Sequence, residues 1–238
     1  MFLMNQWYAA ALPRELSSAP LARMICGKPI VMFRTASGIP AALDDRCPHR
    51  YAPLSAGSCA GETIACAYHG IAFGPDGACA GIPHQDVIPP RMRVRSYPLV
   101  ERSGWAWIWL GDPALADPNT IPDYWWFANP KWHCFQRHYY IKAKWESCAD
   151  NLLDLSHTPF IHKKTVGVPE MAIIPVTSEV IGSSLASIFK LDCACRALLA
   201  LARKRSTNAC RCLRWASCFL IIFWSSNTRS RRWRSKAE

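Results

Sequence analysis

The stretch Arg46-Cys47-Pro48-His49-Arg50, followed by Cys66-Ala67-Tyr68-His69-Gly70, decides how this sequence is read. Sixteen residues separate His49 from Cys66. Each segment offers one thiolate and one imidazole, spaced so that a single tight loop can turn both toward one point. A structural zinc site also uses two Cys and two His, but it ordinarily pairs like ligands within each half. Here each half mixes them. A Cys47–Cys66 disulfide is a competing reading suited to an oxidising compartment. A chance placement of core Cys and His is another, opposed by the Pro and Gly turn residues that bound both halves.

The mixed donor set is the one a Rieske-type [2Fe–2S] centre requires, because two His replace two Cys on one of its irons. On that reading Cys47 and Cys66 hold one iron, and His49 and His69 hold the other. Neutral imidazoles lessen the cluster's negative charge and raise its potential, which suits an acceptor of electrons from a ferredoxin or flavin donor. His84 lies close in sequence, but a lone His is more often a surface residue, and it is not counted as a ligand.

Outward from the motif, residues 30–111 carry β signals. Ile30–Phe33, Ile64–Ala67 and Ile71–Phe73 are short apolar runs broken by turn formers. Gly74-Pro75-Asp76-Gly77 predicts a turn. Trp105-Ala106-Trp107-Ile108-Trp109-Leu110 puts three tryptophans on one face of a strand, where core packing is the expected role. Residues 112–130, rich in Pro, Asp and Asn, read as a linker. A helix is expected over residues 145–157, distorted or ended near Pro159.

Charge is unevenly spread along the 238 residues. Residues 1–192 hold 17 Lys and Arg against 16 Asp and Glu, whereas residues 193–238 hold 11 against one. The formal charge of +11 therefore belongs to the tail, and no nucleic-acid partner is expected. The longest late apolar stretch, Phe219–Trp224, is too short to cross a bilayer. With no basic and apolar leader at the N-terminus, the expectation is a cytoplasmic protein without a membrane partner.

A second motif lies downstream, in Asn151-Leu152-Leu153-Asp154-Leu155-Ser156-His157-Thr158-Pro159-Phe160-Ile161-His162. Asp154 and His157 stand at i and i+3, on one face of a helix, and His162 follows five residues later. Two His and a carboxylate form the facial triad of non-haem Fe(II) oxygenases, which leaves positions open for O2. Incidental His on a helix is the competing reading. With Asn5-Gln6-Trp7-Tyr8, Ala52-Pro53-Leu54-Ser55, Ser96-Tyr97-Pro98 and Gly111-Asp112-Pro113-Ala114, both motifs resemble the Rieske non-haem iron oxygenases. The likeness is strongest to the vanillate O-demethylase oxygenase component and its relatives acting on substituted benzoates and arylsulfonates. It covers residues 1 to about 182.

The resemblance implies an α+β chain: an all-β Rieske domain (1–112), then the N-terminal part of a mononuclear iron domain (113–182) of helix-grip type, an antiparallel sheet wrapped on a helix. It implies that His157 and His162 bind a mononuclear Fe(II). Asn151 lines that site, and Asp154 links it by hydrogen bonds to a cluster His of a neighbouring subunit. It further implies a homotrimer, a flavin or ferredoxin-type reductase as electron donor, and an aromatic acid and O2 as substrates. The ring-hydroxylating dioxygenase large subunit shares both motifs, and a Rieske electron carrier needs only the first. The family's third iron ligand, an Asp far beyond the two His, is not found: the acids after His162 are Glu170, Glu179, Asp192 and Glu238. Residues 183–238 form an atypical tail rich in Cys and Arg, with no regular period, as in Cys193-Ala194-Cys195-Arg196 and Cys210-Arg211-Cys212. This text reads as a shifted frame, so that the second domain is incomplete. A genuine basic tail that binds anions or RNA, or a Cys-based metal site from Cys193, Cys195, Cys210 and Cys212, is the alternative.

Overall fold

The apolar run Ile30–Phe33 forms the middle of strand β3 (Lys28–Arg34), with all four side chains fully buried. Successive residues point to opposite sides of a strand. Val31 and Phe33 accordingly enter one core, and Ile30 and Met32 a second. A strand covered on both faces loses polar alternation and reads as a continuous apolar run.

The computed structural model describes residues 2–127, 129–130, 141–164, 172–173, 176–181, 184–191 and 218–225. They fall in two units, within Met1–Gln136 and within Arg137–Arg229. In the first unit, β3 lies between β2 (Leu21–Ile25) and β4 (Pro40–Asp44). Cys26 and Gly27, both with positive φ, make the tight turn between β2 and β3. A second sheet places β10 (Trp105–Leu110) between β1 (Gln6–Ala11) and β9 (Leu99–Arg102). The third runs β5 (Ser58–Ala60), β6 (Thr63–Ala65), β7 (Ala72–Phe73) and β8 (Cys79–Gly81). All pairings are antiparallel.

These sheets fix the site. The first ligand loop follows β4, and the second is the hairpin tip between β6 and β7. One core cluster joins Val31, Phe33, Leu43, Leu54, Ile64 and Phe73 to both Cys47 and Cys66. The ligand loops thus grow out of the core, not off the surface. The expected turn at Gly74–Gly77 is present, with the Gly77 N–H donating to the Gly74 carbonyl. A Cβ on Gly77, whose φ is +79°, would fall 1.9 Å from the Val94 carbonyl oxygen.

The three tryptophans of β10 do share a face, opposite the one that Ala106, Ile108 and Leu110 turn to the core. Their cover is local. Trp7 meets Trp109 edge-on at 5.3 Å between ring centroids, Tyr124 stacks on Trp107 at 6.1 Å, and Phe127 meets Trp105 at 6.5 Å. The stretch that reads as a linker therefore supplies rings to this face. Asp112 and Asp117 cap its first two short 3-10 turns, and Ile121 is buried.

The second unit contains α1 (Trp145–Leu153), α2 (Thr158–Ile161) and three strands, β11 (Val176–Ile181), β12 (Ser184–Leu191) and β13 (Cys218–Ser225). The strands form an antiparallel sheet in that order. Two expectations need correction. The helix does not run to His157: it ends at Leu153, Asp154 is extended, and Leu155–His157 is a 3-10 turn. Pro159 sits in the first turn of α2, where its missing N–H costs nothing, so it begins a helix and does not end one. Past residue 183, where no period persists in the text, the chain still forms β12 and β13. Phe219–Trp224 is an apolar run of strand length, and periodicity alone does not separate such a run from irregular text. Among the described residues no helix is long and apolar enough to cross a membrane.

Candidate iron-sulfur centre and histidine pair

The two ligand loops are built alike. The Cys47 N–H donates to the Ala52 carbonyl and the Cys47 carbonyl accepts from the Tyr51 N–H, both at 2.9 Å. The Cys66 N–H donates to the Ile71 carbonyl and the Cys66 carbonyl accepts from the Gly70 N–H, again at 2.9 Å. In each loop the fourth residue after Cys is left-handed, with φ +60° at Tyr51 and +69° at Gly70. Gly70 suits this conformation, and a Cβ there would also press on Pro83 at 3.0 Å.

The result brings the expected ligands together in like pairs, Cys47 with Cys66 and His49 with His69. Cys47 and Cys66 are buried at the loop bases, 2% and 3% exposed, while His49 and His69 stand exposed at the tips. The imidazole centroids lie 4.6 Å apart. Tyr68 stacks on His69 at 4.0 Å, and the Arg46 guanidinium lies 3.9 Å over the Tyr51 ring. Burial pushes the Cys47 thiol up, and the neighbouring Cys66 thiol adds to this. The backbone N–H groups of His49 and Arg50 act against it, by donating toward the Cys47 sulfur. Those N–H groups are placed to stabilise negative charge on sulfur once a metal removes the thiol proton. Both cysteines are free thiols.

This arrangement suits a two-iron cluster: thiols side by side in the core, imidazoles side by side at the rim, and N–H donors around a sulfur. It does not suit one small ion. Among the described residues no three His, Cys, Asp or Glu side chains converge as a single-ion site.

In the second unit, α1 brings Asn151 to an exposed position before its end at Leu153. Asp154 Oδ1 accepts from the Ser156 N–H at 3.0 Å and from Ser156 Oγ at 2.6 Å. These two bonds hold its carboxyl below the usual carboxylate range. The face shared by Asp154 and His157 is therefore not helical. It is the Asp154 carbonyl, and not its carboxylate, that lies 2.6 Å from His157 Nδ1. A ring whose Nδ1–H is held by a carbonyl offers Nε2 to a metal, a usual arrangement for ligating His. His157 and His162 lie 5.3 Å apart between ring centroids. The pair is thus brought together, and no third ligand joins it among the described residues.

Sequence reasoning missed Asp45, Arg46, Ser55, Tyr51 and Tyr68, which support the cluster loops. Aligning the two loops on their cysteines would have exposed one of them, because Tyr51 then falls opposite Gly70.

Comparison with known proteins agrees with this geometry. Residues 6–98 match the Rieske [2Fe–2S] domain, and residues 141–197 match the vanillate O-demethylase oxygenase C-terminal domain. The chain is thus a Rieske-domain protein whose second part is of the vanillate O-demethylase type, homologous to the oxygenase components of Rieske monooxygenases. It is 44% identical over 179 residues to the putative toluene-4-sulfonate monooxygenase system iron-sulfur subunit of Comamonas testosteroni, covering 75% of this chain and 52% of that protein. It is 38% identical over 194 residues to a vanillate O-demethylase oxygenase subunit of a Pseudomonas species, covering 81% and 54%. A crystal structure of dicamba monooxygenase with non-haem iron and dicamba superposes with a TM-score of 0.74 at 34% identity, covering 94% of this chain and 63% of that one. The chain spans about half the length of the curated relatives it matches.

The Rieske match favours the cluster over zinc or a disulfide at the first motif. The second match reaches residue 197, beyond residue 182, where the sequence reading ends the resemblance. Family-like text therefore continues through β12. The tail motifs at Cys193, Cys195, Cys210 and Cys212 lie outside the described residues.

Proposed function

We propose that this chain is part of the oxygenase component of a Rieske non-haem iron monooxygenase that demethylates or hydroxylates a substituted aromatic acid resembling vanillate. The observation that supports the reading is the pair of matched loops, with Cys47 beside Cys66 in the core and the His49 and His69 rings 4.6 Å apart at the tips, together with the His157 and His162 pair downstream. Relatives named for toluene-4-sulfonate, dicamba and vanillate support an aromatic substrate.

A cluster at the first site supplies single electrons, and a ferrous iron at the second activates O2. The residues' own parts are distinct. Cys47 and Cys66 anchor from the core, while His49 and His69 present their edges to a partner. His157 is fixed in one tautomer by the Asp154 carbonyl, and Asn151 lines the same region. Asp154 Oδ2 takes no part in the Ser156 bonds, which suits it to accept a hydrogen bond from a cluster His of a neighbouring subunit in a homotrimer. A separate flavin or ferredoxin-type reductase delivers electrons at the exposed His rim. No third iron ligand is found among the described residues. The reading carries a cytoplasmic location, with no nucleic-acid or membrane partner. Removal of a methyl from an aryl ether then consumes O2, two electrons and two protons, and gives a phenol, formaldehyde and water.

The test is O2-dependent release of formaldehyde from methoxybenzoates with a reductase present. The reading expects His157→Ala and His162→Ala to abolish product while leaving the cluster spectrum unchanged. A cis-diol product would instead indicate a ring-hydroxylating dioxygenase. A second reading, an electron carrier alone, is favoured by one observation: the first unit carries two Cys and two His on matched loops, and the described residues of the second offer only a His pair. It predicts reduction by the reductase without any product.

A further inference from the structure

We infer that Arg46 and Tyr51 are positioning residues for the cluster, clamping the first ligand loop and setting a fixed positive charge beside it; the inference rests on the cluster reading above. The starting observation is an asymmetry between two otherwise matching loops. At the fourth position after each cysteine the backbone is left-handed, and its N–H closes the loop onto the Cys carbonyl at 2.9 Å. The second loop fills this position with Gly70, for which a positive φ is free of cost. The first fills it with Tyr51, where a side chain disfavours the same φ of +60°.

Something must hold Tyr51 there, and burial does not, since the residue is 63% exposed. Besides the backbone bonds at Cys47 that close the loop, the Arg46 guanidinium, 3.9 Å over its ring, holds it through the side chain. Arg46 and Tyr51 flank the segment Cys47-Pro48-His49-Arg50, so their contact ties its two ends together across the loop. The guanidinium cannot lose its charge. Adding an electron to a cluster makes it more negative, so a fixed cation nearby favours the reduced form and raises the potential.

The test compares the wild-type chain with Arg46→Gln, Tyr51→Phe and Tyr51→Gly, all at exposed positions. Tryptophan circular dichroism checks that each variant folds. The inference expects R46Q and Y51G to lower the midpoint potential or broaden the reduced-state EPR signal, and to lose cluster to a chelator about two- to fivefold faster. That factor corresponds to one exposed cation–π contact. Y51F, which keeps the ring, should match the wild type. A loaded wild type whose R46Q and Y51G variants share its potential, spectrum and cluster lifetime would overturn the inference alone. A folded wild type that takes up no Rieske cluster would overturn the cluster reading and this inference with it.

Discussion

Tyr97 shows how one residue ties the core to the ligand loops. It is 6% exposed, and its hydroxyl donates to Asp44 Oδ1 at 2.5 Å, at the end of the strand from which the first loop departs. Burial first, then the hydrogen bond to Asp44 and that residue's charge, push the phenol above its ordinary value. A group whose folded value is raised contributes stability that is fully present below its unfolded value, about pH 10 for a phenol, and lost as pH rises through the folded value. Urea unfolding over a pH series should therefore show stability falling in the alkaline arm. Tyr97→Phe should flatten that fall and lower stability at neutral pH by about 1.5–3 kcal/mol, as for a hydrogen bond to a charged group. An unchanged alkaline slope would contradict this account. The sequence marks Ser96-Tyr97-Pro98 as family-like text, but Tyr97 and Asp44 are far apart in the chain, and only the fold reveals their bond.

Among the elements, the first ligand loop is closed a second time from outside the motif. Asp45 Oδ1 accepts from the Ser55 N–H at 2.7 Å, and Asp45 Oδ2 from Ser55 Oγ at 2.6 Å, which brackets the loop across ten residues. Asp45→Ala should leave the sheets intact, weaken the loop by about 1.5–3 kcal/mol, and speed chelation of the cluster. Chelation kinetics at wild-type rate would exclude this role. Ligand identity was legible in the sequence because metal chemistry demands particular residues at particular spacing. The bracket was not, because Asp and Ser are ordinary surface residues and their pairing depends on the turn between them. The end of α1 was misread for a related reason: apolar spacing continued past Leu153, while Asp154 and Ser156 formed the local turn that stops a helix.

At the scale of the whole molecule, the first unit follows its sequence closely, because alternating burial, turn glycines and metal ligands all point to one antiparallel fold. Residues 112–127 escaped that logic: their composition is that of a linker, and only the tryptophan face of β10 gives them something to cover. In the second unit the two His were legible as a pair, yet β12 and β13 were not, since their text lacks the alternation of a half-exposed strand. The central claim is that Cys47, His49, Cys66 and His69 hold a Rieske cluster. Its most direct test is iron and acid-labile sulfide in the anaerobically purified full chain, with an EPR spectrum of the reduced form. The account predicts a Rieske spectrum from about two irons and two sulfides, with any further iron belonging to the His157 and His162 pair. Zinc in place of iron, or a reduced signal from a cluster held by cysteines alone, would contradict it.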